Sequence, residues 1–164
     1  MRLRRGHEDS PDPTVTAAAR QAIRDARMAG TALVGDISNT LATVPLLAEE
    51  GMAAVVFHEL VGFNLDDPIG SVSAARRRLV DLPASEDVRL TLAPHAPYSV
   101  SPGLFEAIRA DLERYPCQTS TIHLAESLEE LELLRSGTGP WRDIQTGHRA
   151  WNSQRRVPDA SPEE

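Results

Sequence analysis

His123 and Glu126 stand three residues apart in Thr119-Ser-Thr-Ile-His-Leu-Ala-Glu-Ser127, where an apolar run gives way to an acidic helical pattern. Imidazole nitrogen is a preferred zinc ligand, and a catalytic zinc takes about three protein ligands and keeps one position open. A carboxylate one short turn away can take up a proton at such a centre and return it to a leaving group. The pair thus divides into a metal-holding His123 and a proton-moving Glu126. On the pair alone, a strand-end histidine bonded to backbone beside a solvated glutamate is the more common arrangement, and the spacing does not separate the two.

His95 lies in Pro94-His95-Ala96-Pro97-Tyr98. Prolines on both sides restrict the backbone and hold the imidazole in one direction at low entropic cost. That rigidity suits a group that polarises a substrate or orients a leaving group, and it also suits a turn whose histidine merely packs. His58 and Glu59 end the run AAVVFHE, where period-two alternation sends them to opposite faces. Asp36, Ser38 and Asn39 close another apolar run and read as turn-organising residues. His7 and His148 fall in segments without a pattern, where exposure is expected.

These residues need elements to position them. Four β-branched-rich runs end in polar residues: Thr31–Asn39, Ala53–Glu59, Val88–Ser99 and Thr119–Ser127. Their apolar portions are nearly continuous, as in strands covered on both faces. Helical patterns separate them over Pro13–Met28, Leu41–Glu50 and Ser71–Leu82. Another begins at the cap Ser101-Pro102 and runs towards Tyr115, and a last one follows the capping box Ser127-Leu-Glu-Glu130. Gly51 sits where a left-handed C-cap is wanted, and Gly137 closes the last helix. The alternation is that of βαβ units, which leaves an open doubly wound sheet or a piece of a β/α barrel. Asp36, Glu59, His95 and His123 all follow strand ends, the catalytic face of a barrel, and no glycine-rich phosphate loop follows the first strand. The organisation expected is a polar segment over 1–13, the barrel portion over 14–137 and a long loop or tail over 138–164.

Composition narrows the function. The 164 residues are 41% hydrophobic and 25% charged, a profile that folds around a core. A net charge of −7 argues against a nucleic-acid binder, and the basic run Arg76–Arg78 reads as a solvated helix face. No apolar run approaches the ~20 residues of a membrane span, and the opening MRLRRGHEDSPDP is not a charged-then-apolar leader. With one cysteine, Cys117, an internal disulfide is excluded and a cytoplasmic setting is expected. All 17 basic residues are arginine. Schiff-base chemistry, a P-loop lysine and a metal pair bridged by a modified lysine therefore cannot be built from this sequence.

GDISN, FHELVGF, APHAPYSVS and TIHLAES with its acidic helix occur here in order and at a spacing that resembles the amidohydrolase superfamily. The branch most similar holds the S-adenosylhomocysteine/methylthioadenosine deaminases, atrazine-type chlorohydrolases and guanine-deaminase-like enzymes. The resemblance runs from about Thr14 to Pro162. It implies an α/β fold, a partial (β/α)₈ TIM barrel comprising about strands 2 to 5 with their helices. It also implies a metal-dependent hydrolase that deaminates or dechlorinates a purine- or triazine-like ring, using one divalent metal, zinc or else iron. By position, His123 would be the metal ligand and Glu126 the general acid/base. His95 would contact substrate and serve catalysis, and Glu59 would stand on the substrate side with a structural role. Where the family commonly has arginine, this chain has His58.

The family's first-strand His-x-His pair has no counterpart in the sequence, and its sixth-strand histidine and eighth-strand aspartate would lie beyond Glu164. The isolated chain is accordingly expected to be catalytically incomplete, with a small heterocyclic substrate and a homo-oligomer as its implied partners. The contrasting expectation is a non-catalytic truncated half barrel that self-associates, or a gene fragment.

Overall fold

The computed structural model describes residues 12–83, 85–115 and 119–147. His7, Cys117, His148, the segment up to residue 11 and the tail beyond 147 lie outside them. The elements run α1 (Pro13–Met28), β1 (Leu33–Ser38), α2 (Val44–Glu49), β2 (Ala53–Leu60), α3 (Pro68–Val80), β3 (Val88–Pro94), α4 (Pro102–Leu112), α5 (Leu128–Ser136) and α6 (Pro140–Gly147). This is an α/β chain whose sheet has the order β1-β2-β3. β1 and β2 are parallel, in a register from Leu33 opposite Ala53 to Ser38 opposite His58.

The fold divides into two compact units. One takes the chain up to Glu59 together with Ala75–Leu92, and the other takes Leu60–Ala74 and everything from Ala93 onward. In the first, Leu46 and Leu47 of α2, Met52, Val56 of β2 and Leu92 of β3 are buried. Each large apolar side chain removed from water in this way contributes about 1.5–3 kcal/mol. In the second, Val100, Leu104, Ile108 and Leu133 are buried.

Local chemistry explains the boundaries. Asp12 caps α1 by accepting from the Thr14 amide at 2.7 Å, with Pro13 in the first turn. Ser101 caps α4 by accepting from the Leu104 amide at 3.2 Å. Gly137 takes φ 66° and ends α5 in the left-handed conformation that glycine adopts without a Cβ penalty.

α1 buries none of its residues. Charge ties it to the end of α2 instead: Arg20 reaches Glu49 at 2.6 Å and Glu50 at 3.0 Å, Arg24 reaches Glu50 at 2.8 Å, and Arg27 donates to the Glu50 carbonyl. Hydrogen bonds from Arg24 and then Arg20 hold the Glu50 carboxyl down at about 2.

Three expectations are corrected. Residues 119–127 do not form a fourth strand; they run outside any helix or strand until α5 begins. Ile122 and Leu124 there are exposed, so the two-sided cover that would favour a strand is missing. β1 is likewise not covered on both faces: Leu33 is 61% and Ile37 41% exposed. Two-faced burial is met in β3, where Thr91, Leu92 and Ala93 are buried in succession. The third correction is α6, which occupies part of the segment expected to be a loop and packs against α5.

Candidate functional site

His95 and His123 come together although a whole helix separates them in sequence. β3 ends at Pro94, and the His95 carbonyl accepts the His123 amide at 2.8 Å. The rings meet edge to face with centroids 5.2 Å apart. Each offers a ring nitrogen, and these nitrogens lie within 4.8 Å of one another.

The His95 ring is oriented by its neighbour. Its Nδ1 lies 2.6 Å from Ser99 Oγ, and that hydroxyl lies 3.1 Å from the Ala96 carbonyl, which can only accept. That carbonyl also accepts the Ser99 and Val100 amides, so the Ser99 hydroxyl can accept from a protonated Nδ1 or donate to a bare one. In either tautomer the bond to Ser99 fixes the orientation of the ring. The Pro-His-Ala-Pro-Tyr segment turns sharply enough to close this bond, with Ser99 and Val100 amides both donating to the Ala96 carbonyl at 3.0 Å.

Glu126 faces the same place. Its Oε1 stands 3.8 Å from His123 Nδ1, an ion-pair distance and too long for a hydrogen bond. Its Oε2 accepts from the Tyr98 hydroxyl at 3.1 Å. Tyr98 in turn stacks on Trp141 of α6, centroids 4.3 Å apart and planes 17° from parallel, and meets His95 edge to face at 5.5 Å. Just ahead of Glu126, Ala125 adopts φ 57°. The Glu126 amide donates to Glu130 Oε2 at 2.7 Å, and Ser127 Oγ accepts from the Glu130 amide at 3.2 Å. The capping box foreseen at Ser127–Glu130 is thus half formed, its glutamate reaching one residue past the cap.

Tyr98, Ser99 and Trp141 did not stand out in the sequence. The signal available was their rarity and placement, since the chain has two tryptophans and two tyrosines and Tyr98-Ser99 directly follow the His95 turn.

Glu59 belongs to the first unit, where its carboxylate accepts from Asn39 Nδ2 at 2.8 Å. Ser38 Oγ accepts the Leu41 amide at 2.9 Å and Asp36 accepts from the Thr43 hydroxyl, so these residues organise the turn after β1 as expected. The alternation along β2 holds as well: His58 is buried and Glu59 lies on the other face, half exposed. His58 Nδ1 meets the Ser38 carbonyl at 3.0 Å, and burial pushes its pKa below 6.5 more than that bond raises it. A buried neutral imidazole that donates to backbone is a packing residue of this unit.

No family model matches the chain. It is 35% identical over 123 residues to adenosine deaminase of Helicobacter pylori, an alignment covering 74% of this chain and 30% of the relative. It is 35% identical over 102 residues to aminodeoxyfutalosine deaminase of Deinococcus radiodurans, covering 60% and 24%. Among solved structures, Helicobacter pylori aminofutalosine deaminase in complex with methylthio-coformycin matches with a TM-score of 0.71 at 30% identity, covering 88% of this chain and 33% of that one. The chain is a homologue of the amidohydrolase-superfamily deaminases. A triazine hydrolase of Arthrobacter aurescens, 19% identical with a TM-score of 0.61, shares the fold over 80% of this chain and 34% of its own. The chain spans about a third of the relatives it matches.

The imidazoles of His95 and His123 suit a divalent metal in kind, since catalytic zinc sites are built on such nitrogens.

Proposed function

We propose that this chain supplies the proton-transferring part of a metal-dependent hydrolase that removes an amino or halide group from a nitrogen heterocycle. β1 to β3 would be barrel strands 2 to 4, with residues 119–126 in the place of the fifth. The observation that carries the reading is the convergence of His95, His123 and Glu126, with His123 Nδ1 3.8 Å from Glu126 Oε1. The relatives' names, adenosine deaminase and aminodeoxyfutalosine deaminase, support an amino-substituted heterocycle as substrate.

His123 is the residue assigned to hold the metal, zinc or else iron. A divalent metal supplies Lewis acidity and a nucleophile at neutral pH. Glu126 Oε1 takes a proton at this place and passes it to the ring nitrogen or the departing group, while the Tyr98 hydroxyl occupies Oε2. His95, its ring oriented by the contact between Nδ1 and Ser99, is the residue assigned to contact the substrate. The bond from Asn39 to Glu59 supports a structural role for that glutamate. The remaining metal ligands would come from sequence beyond this chain or from a partner.

The test is metal content of the purified chain after gel filtration, beside a His123→Ala control. Stoichiometric zinc or iron that the substitution removes supports the assignment. No metal in either protein means that this chain does not hold one by itself.

One observation favours a second reading, a self-associating half barrel. β1 ends the sheet among the described residues and exposes Leu33 and Ile37. An uncovered apolar edge strand is a template for pairing.

A further inference from the structure

The Glu130 side chain is anomalous for a carboxylate. It is 0% exposed, and its Oε1 has no hydrogen-bond partner among the described residues. Charged groups are rarely buried without full pairing, because loss of hydration is costly. What Glu130 does hold is the Glu126 amide, through Oε2 at 2.7 Å. Immediately before that amide, Ala125 sits at φ 57°, a left-handed conformation that costs a residue with a Cβ about 1–2 kcal/mol. A buried hydrogen bond is worth about 0.5–1.5 kcal/mol and offsets much of such a cost.

We propose that Glu130 is a positioning residue for Glu126. It anchors the strained turn through the Glu126 backbone while Tyr98 anchors the side chain through Oε2. Fixed at both ends, the Glu126 carboxylate keeps Oε1 towards His123. A general acid/base must stay within reach of the proton it moves, and that geometry here depends on a residue that meets neither metal nor substrate. The inference rests on the reading of Glu126 as the proton carrier.

The test is amide exchange and ¹⁵N–¹H spectra of the whole chain. Glu130→Ala lowers protection of the Glu126 amide by about tenfold or more, and leaves amides within α4 unchanged. Glu130→Gln keeps a carbonyl acceptor of the same reach, so protection of the Glu126 amide is largely rescued. Unchanged protection in Glu130→Ala, or a loss shared equally with α4, overturns the proposal. Should Glu130→Ala fail to fold, Glu130→Met decides, since it keeps the volume and removes the acceptor: loss of protection confined to the Glu126 amide supports the proposal and unchanged protection overturns it. If Glu126→Gln leaves hydrolytic turnover intact in the full assembly, the proton-carrier reading falls, and the exchange result is unaffected by that failure.

Discussion

The division of labour between the two oxygens of Glu126 is the feature from which residue-level consequences follow. Oε2 is engaged by Tyr98, so under the proposed function the oxygen nearer His123 is the one that would exchange protons. In any preparation that turns over an amino-heterocycle, Glu126→Gln lowers the rate by about 10²–10⁴, the usual worth of a positioned acid/base, as measured by ammonia release. Binding of the heterocycle changes much less, because the glutamine occupies the same volume. A different pH response belongs to His58. Burial depresses its pKa in the folded chain, so the unfolded chain binds the proton more readily. The stability it contributes is present above about pH 6.5 and is lost as pH falls towards the lower folded value. His58→Asn keeps a donor for the Ser38 carbonyl and removes the titration, so thermal melts should show a shallower loss of Tm below pH 6.5.

The contrast between α1 and α5 decides what happens at the scale of elements. α5 buries Leu133 and Glu130, whereas α1 buries nothing and is held by arginines on Glu49 and Glu50. Exposed ion pairs are worth little each and are screened by salt, so α1 is the element most easily released. Glu50→Gln removes the carboxylate that two arginines share, and amide exchange in α1 should accelerate while the sheet stays protected. The wild-type chain shows the same loss on acidification. The Glu50 carboxyl is held down at about 2 from an ordinary 4.5, so its contribution is complete above pH 4.5 and disappears as pH falls towards 2. Element positions were largely legible in the sequence: α1 begins at Pro13 and ends at Met28, and Ser101 and Ser127 cap their helices as the motifs indicate. What misled was the run around His123. Its apolar residues look like those of a covered strand, yet Ile122 and Leu124 remain exposed. Hydropathy reports what a residue tolerates, and burial depends on what packs over it.

For the molecule as a whole, the exposed edge of β1 carries the prediction. If the second reading applies, sedimentation at rising concentration shows association, and Ile37→Lys, which blunts the edge with a charge, abolishes it without lowering Tm by more than a few degrees. A monomer at every concentration excludes that reading. The relatives' greater length bears on the same point, since the chain matches about a third of them and the rest of a barrel would cover such an edge.

The sequence by itself determined the α/β alternation, the helix ends and the residue types at the strand ends. Those depend on local chemistry, in caps, glycines and prolines that act within a few residues of themselves. The tertiary structure alone decided that His95 meets His123, that Tyr98 reaches Glu126 across 28 residues, and that Trp141 stacks on Tyr98. It also decided which histidine is sequestered: His58 and His95 look alike as residues after apolar runs, but one is buried against backbone and the other meets a second imidazole edge to face. Contacts between distant segments depend on how packed elements bring them together, and no local spacing encodes that.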